Sequence, residues 1–409
     1  MSDNKRQVYL KNVRIFNGHD DDISAPSHIL IEDGQFSAIR TTEIAGEFAQ
    51  EIDLSGKFIM PGLIDAHFHA YASDLDFAKL DQLPATYHSL KGSSLLTASL
   101  LRGFTTVRDV GGADYGLWRG LEDELFQGPR LLYGGRALSQ TGGHGDARVP
   151  SLEPCGCGMV GRLSRVVDGV DNIRVAAREE LRRGASHIKV FVSGGISSPS
   201  DPVWSLQYSD EELEAVVDEA TRRGAYVVAH AYTPEAIERS VRAGIRSIEH
   251  GNLITEDVAQ LVSAKEAYVV PTLVTYDALG KYGANEGAPD TLIEKLGEVA
   301  GRGLEAITIC RQAGVKLGFG TDLLGQLHKF QRNELLLRAQ VETPFQVLHS
   351  ATGVNAELLK MPDLIGVIKE AAFADFLVLE DNPLDDVAGL ASGASINAIY
   401  KSGQCIRKF

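Results

Sequence analysis

The chain has 409 residues, enough for one large barrel plus a smaller domain. Its apolar share of 44% and charged share of 23% are those of an ordinary soluble globular protein. A net charge of -15 argues against broad nucleic-acid binding, which needs a positive surface.

The polar start, Met1-Ser2-Asp3-Asn4-Lys5-Arg6, leads straight into Val8-Tyr9-Leu10 without the apolar core of a signal peptide. No apolar run later in the chain is long enough to span a bilayer. The four cysteines read as reduced thiols: Cys310 and Cys405 stand alone, and Cys155-Gly156-Cys157 is too tight for an ordinary disulfide or zinc hairpin. A cytoplasmic protein with no membrane partner is expected.

Up to about residue 60 the pattern is β. Val8–Phe16 mixes β-branched and aromatic residues with polar ones, and Asp33-Gly34 between His28–Glu32 and Gln35–Ile39 is a strong hairpin signal. The carboxyl end repeats the style at Ala374–Leu379 and Ile396–Gln404. Neither end can bury a core alone. Residues 1–60 and 364–409 are therefore expected to pair into one small β-sandwich domain, with 61–363 between them.

That middle alternates strand and helix. Short apolar runs at Leu63–His67, Phe104–Val107, Arg130–Gly134, Ile188–Val192, Tyr226–Ala229, Ser247–Ile248, Tyr268–Val270 and Lys316–Gly318 give eight strands. Amphipathic stretches separate them, such as Asp210–Ala220 behind a Ser209 cap. The pattern predicts an α/β fold, a (β/α)8 TIM barrel. A doubly wound open sheet needs fewer strands, and no Gly-x-Gly-x-x-Gly follows the first one.

Five of the strands are expected to end in metal-binding side chains. His67 and His69, one residue apart, face the same side and can chelate one divalent ion. His230 and His250 close the fifth and sixth strands, where they can hold a second. Asp322 closes the eighth, near the first ion. Lys189 on the fourth cannot ligate a cation as an ammonium, and burying that charge is costly. A desolvated amine can instead react with carbon dioxide, and the resulting carbamate is an anionic bridging ligand.

With these residues in place, the chain resembles the metal-dependent amidohydrolase superfamily along nearly its whole length. Ile59-Met60-Pro61-Gly62-Leu63-Ile64-Asp65-Ala66-His67-Phe68-His69 is similar to that superfamily's first-strand signature, and no ligand position departs from its pattern. A narrower likeness, in Gly103–Asp109, Ser139–Asp146, His230-Ala231-Tyr232 and Pro271–Tyr276, is to the imidazolonepropionase-related branch. Within it the chain is most similar to Xaa-Pro dipeptidases and related carboxypeptidases.

The resemblance implies two divalent metal ions, zinc by expectation, bridged by carboxylated Lys189 and held by His67, His69, His230, His250 and Asp322. It implies hydrolysis of Xaa-Pro or Xaa-hydrophobic dipeptides and N-acyl amino acids by a metal-bridging hydroxide, with Asp322 as proton shuttle. His144, in a Gly-Gly-His-Gly loop, and Tyr232, two residues past His230, are candidates for the substrate carbonyl or carboxylate. Arg108 and Arg136 are candidates for clamping a carboxylate. Relatives also cleave the ochratoxin amide and carbamate- or urea-type xenobiotics, so these remain alternatives. A lactonase or a deaminase on the same barrel is a further one. The deaminase is disfavoured: it would leave Lys189 without a purpose, and the glutamate such enzymes place shortly after the fifth-strand histidine is missing here, where Ala231-Tyr232-Thr233-Pro234 follows His230. A homo-oligomer is expected.

Overall fold

The computed structural model describes residues 7–148 and 163–409. The expectations placed on Cys155, Cys157 and most of the loop around them lie outside the described residues. The chain forms two compact units, one of residues up to 65, 98–106 and 335–409, the other of 66–97 and 107–334.

In the first unit, strands from residues 7–61 and 376–408 meet in one eight-stranded sheet. Phe376–Leu379 runs antiparallel to Phe58–Pro61, with Phe376 opposite Pro61 and Leu379 opposite Phe58. The path continues on one side to Ile396–Lys401 and Gln404–Lys408, and on the other to Gln7–Ile15, Ser27–Glu32 and Gln35–Arg40. The Asp33-Gly34 turn forms with φ of 50° and 82°, a mirror-image turn whose twist suits a two-residue hairpin. Alternate residues face a shared core of Leu10, Val13, Ile29, Ile31, Ile59, Phe376 and Val378.

The eight strands expected of the middle segment all form: β1 (Leu63–Phe68), β2 (Phe104–Asp109), β3 (Arg130–Tyr133), β4 (Ile188–Phe191), β5 (Val227–Ala231), β6 (Ser247–His250), β7 (Tyr268–Val270) and β8 (Lys316–Leu317). β4 to β8 pair in parallel in chain order. β1, β2 and β3 form a three-stranded sheet, and a short strand, Ala137–Ser139, lies beside β4. Two further links join the sheets. Ala66 and Asp322 donate their N–H groups to Phe319 O (2.8 Å) and His67 O (2.8 Å), and Ser186 N–H donates to Tyr133 O (2.9 Å). β5 and β6 are buried on both faces, as a parallel sheet covered on both sides requires.

The helix expected behind Ser209 starts at that cap. Ser209 accepts from Glu212 N while Glu212 returns a bond to the cap, and Leu213, Val216 and Ala220 form the buried stripe of Asp210–Arg222. Among the described residues, no helix is long and apolar enough to cross a membrane. Cys310 is buried and Cys405 exposed, both unpaired in any disulfide.

Candidate metal centre

Each candidate histidine has one ring nitrogen fixed by a partner, which decides what the other can do. The Nδ1 of His67 lies 2.7 Å from Glu249 Oε2, a carboxylate that is held ionised, so Nδ1 donates. Its Nε2 then faces Asp322 Oδ1 at 3.3 Å. His69, one residue past the end of β1, donates from Nδ1 to Gly111 O (2.9 Å) and turns Nε2 to the same Asp322 oxygen at 3.2 Å. Nδ1 of His250 meets Thr272 Oγ1 (2.8 Å) and the Tyr276 hydroxyl (3.0 Å). His230 reverses the pattern: its Nε2 lies 3.1 Å from Gly194 O, which can only accept, and this leaves the lone pair on Nδ1. Such partners fix ring orientation and raise ligand basicity.

The rings are packed together. Centroids of His67 and His250 are 5.0 Å apart, and those of His230 and His250 4.6 Å. His67, His250 and Asp322 each offer an atom within 4.8 Å of the others'. His250 therefore also adjoins the cluster expected for the first ion, rather than pairing with His230 alone. The backbone is shaped for this. His250 and Asp322 adopt left-handed φ of 76° and 49°, a strained region for residues with a Cβ. A Cβ on Gly320 would come within 2.6 Å of His67 Cβ, so only glycine lets this segment lie against β1. Asp322 does not end β8, which stops at Leu317. It lies five residues on, in the stretch hydrogen-bonded to β1.

Lys189 is buried in the same cavity, and its amine makes no ion pair or hydrogen bond with a described residue. Burial pulls its pKa down to about 8, against the opposing pull of Glu249 and Asp322. Asp322 resists the upward push of burial, because His67 and His69 hold its carboxyl well below the usual carboxylate range.

All six expected ligands, with His144 and Tyr232, line one cavity of about 860 Å³ including its open mouth. Phe77, Leu163, Phe191 and Ile196 supply apolar wall. His144 stacks on His230 at 4.4 Å between centroids. Its Nδ1 sits 3.0 Å from Ser198 Oγ and 3.5 Å from Asp201 Oδ2. The Tyr232 hydroxyl meets that of Tyr276 at 3.1 Å.

The two arginines are elsewhere. Arg108 is fully buried among the strands, donating to Glu249 Oε1 (2.8 Å), Ala66 O (2.6 Å) and Ser247 Oγ (3.3 Å). Arg136 is turned to Glu180, 3.4 Å away. The structure does not bring them to the expected clamp: neither is among the residues that line the cavity, and each faces a carboxylate of the chain. Arg108 acts beneath the site, fixing the carboxylate that fixes His67.

Sequence reasoning passed over Glu249, Asp201, Thr272, Tyr276 and Lys295. Glu249 had a signal: an acid inside an apolar parallel strand must have a partner. Lys295 had none. From the helix Asp290–Val299 its ammonium donates to three backbone carbonyls, Gly195 (3.2 Å), Ser198 (2.8 Å) and Asp201 (2.6 Å), pinning the loop that holds His144.

Residues 58–406 match the model of the Amidohydrolase family, and the chain belongs to that family, whose fold is of the TIM-barrel type. Within it the chain is similar to prolidases and Xaa-Pro dipeptidases. A solved prolidase in complex with N-methylphosphonate-L-proline is 43% identical, with a TM-score of 0.96 over 98% of this chain and 100% of that one. A Xaa-Pro dipeptidase with bound methionine in the active site is 26% identical, with a TM-score of 0.88 over the same shares. Ochratoxinase of Aspergillus niger is 32% identical over 366 residues, 85% of this chain and 75% of its own.

Proposed function

We propose that this chain is a binuclear zinc amidohydrolase of the dipeptidase type, cleaving the amide bond of Xaa-Pro or Xaa-hydrophobic dipeptides and N-acyl amino acids. One observation carries the reading: four histidines, an aspartate and a buried lysine without an ion pair among the described residues converge on one cavity, each imidazole with its outer nitrogen already committed. That set of nitrogen and oxygen donors suits zinc. We assign His67, His69 and Asp322 to one ion, His230 and His250 to the other, and carboxylated Lys189 to the bridge. The desolvated amine of Lys189 is suited to react as the free base with carbon dioxide, releasing one proton. The eight strands are read as a closed barrel of residues 61–363, and the sheet of residues 1–60 and 364–409 as its β-sandwich domain.

Two divalent ions held there would polarise the scissile carbonyl and make water acidic enough to attack at neutral pH. Asp322, ionised and within reach of both first-strand histidines, accepts the proton of the attacking water. It returns that proton to the amide nitrogen as the C–N bond breaks. His144 and Tyr232 bind the carbonyl or the carboxylate of the leaving residue, and Phe77, Leu163, Phe191 and Ile196 accommodate a proline or apolar side chain. The resemblance to the phosphonate-proline complex and to ochratoxinase supports this choice of substrates, the ochratoxin amide included.

The test is a paired assay of zinc-loaded protein on Ala-Pro, Ala-Leu, an N-acyl phenylalanine and their C-terminal amides, with metal content measured alongside. We expect about two ions per chain and much faster cleavage of the acids, because a missing carboxylate leaves buried donors unpaired. Equal rates for acids and amides would remove the carboxylate requirement. Turnover of a lactone, carbamate or urea alone would move the chain to another activity of the family.

A further inference from the structure

We infer that Tyr276 is a positioning residue that aims the Tyr232 hydroxyl proton into the cavity, making Tyr232 a hydrogen-bond donor to a substrate oxygen. The inference rests on the amide-hydrolase reading above and adds a direction to one of its hydrogen bonds.

With Nε2 of His250 turned to the metal centre, its Nδ1 carries the hydrogen. Two hydroxyls receive it, Thr272 Oγ1 at 2.8 Å and Tyr276 Oη at 3.0 Å. Tyr276 is buried, and its oxygen also accepts from Thr272 Oγ1 at 3.5 Å, while its own hydrogen reaches Tyr232 Oη at 3.1 Å. Tyr276 therefore donates to Tyr232. The Tyr232 oxygen is thereby occupied as an acceptor on its inner side. With the Tyr276 oxygen already facing His250 Nδ1 and Thr272 Oγ1, the Tyr232 hydrogen has no other acceptor among the described residues, and Tyr232 lines the cavity. A substrate carbonyl or carboxylate oxygen is the acceptor it lacks. The chain of donors runs from His250 through Tyr276 to Tyr232, so the group that holds a metal-ligand ring also orients a substrate contact.

Two measurements test this. Neutron diffraction from deuterated, zinc-loaded protein reads the hydroxyl directions without any turnover. The deuterium of Tyr276 is expected on the line to Tyr232 Oη, and that of Tyr232 in the cavity. A Tyr232 deuterium pointing at Tyr276 would overturn the inference, whatever the substrate proves to be. The second is a double-mutant cycle on Ala-Pro cleavage. Tyr232→Phe should lower kcat/KM about 100-fold, the scale of losing one preorganised donor. Tyr276→Phe should lower it about three- to tenfold, the scale of one net hydrogen bond. The double variant should fall no lower than Tyr232→Phe, since Tyr276 acts only through Tyr232. Multiplicative losses, or loss of metal from Tyr276→Phe with metal kept in Tyr232→Phe, would show that Tyr276 serves the ligand ring alone. Absence of dipeptide cleavage in the wild-type protein would defeat the proposed function and leave the neutron result to decide this one.

Discussion

At the scale of single residues, the site is a set of committed hydrogen bonds around a few charges, and two side chains test its logic. Asp322 is a carboxylate that meets both His67 and His69. Asp322→Asn keeps the shape but cannot take up a proton, so kcat should fall about 10²–10⁴-fold with the protein still folded. Steady-state kinetics with circular dichroism checks this, and a near-normal kcat would assign the proton to another group. Arg108 makes the opposite point. Its guanidinium neutralises Glu249 where both side chains are wholly out of water. Arg108→Met should cost about 3–5 kcal/mol, because it strands a buried carboxylate. Urea unfolding measures that loss, while the ratio of acid to amide hydrolysis stays that of wild type. Unchanged stability with a collapsed ratio would restore Arg108 to substrate binding.

At the scale of elements, what the sequence made legible was whatever depends on near neighbours. Strand runs, the Asp33-Gly34 hairpin, the Ser209 cap and the histidines and lysine near strand ends are local patterns, and each forms where its pattern stands. Pairings across the chain were not legible. Arg108 shows a neighbouring acid in Asp109, but that carboxylate is taken up by the N–H groups of Ala70, Gly111 and Ala113, and the partner is Glu249, 141 residues away. Asp322 reads as a strand end because its apolar approach continues past Leu317, yet only Gly318 still bonds to β7, through Val269 O, and Phe319, Thr321 and Asp322 bond to β1. Lys295 is the furthest from view. It reaches back 94 to 100 residues to hold a loop by carbonyl oxygens, which carry no side-chain signature. Lys295→Met should loosen Ser198 and Asp201 around His144, raising KM about three- to tenfold with metal content unchanged, the scale of the hydrogen bonds lost. Lys295→Arg, which keeps a cation with several donors, should recover part of the loss. A fall in metal content, or an unchanged KM, would separate the loop from substrate handling.

At the scale of the whole molecule, the strands Ile396–Lys401 and Gln404–Lys408 lie in the same sheet as Gln7–Ile15, which makes them part of the fold. The two final strands carry different weights. Gln404–Lys408 is mostly exposed and sits at the edge of the sheet, whereas Ile396–Lys401 lies inside it, between Gln404–Lys408 and Phe376–Leu379. Ile396, Ala398, Ile399 and Tyr400 are all buried. Three large side chains at about 1.5–3 kcal/mol each amount to more than about 4 kcal/mol, before the ladder bonds to Phe376–Leu379 are counted. That is a large part of the roughly 5–15 kcal/mol that holds a typical domain folded. A chain ending at Lys401 should therefore stay soluble and unfold cooperatively a few degrees below the full-length protein. One ending at Ser395 should leave an apolar face and an open strand edge, and accumulate as aggregate. Soluble yield and thermal unfolding of the two truncations decide the matter: equal behaviour would mean that Ile396–Lys401 contributes no more to stability than the exposed strand beyond it.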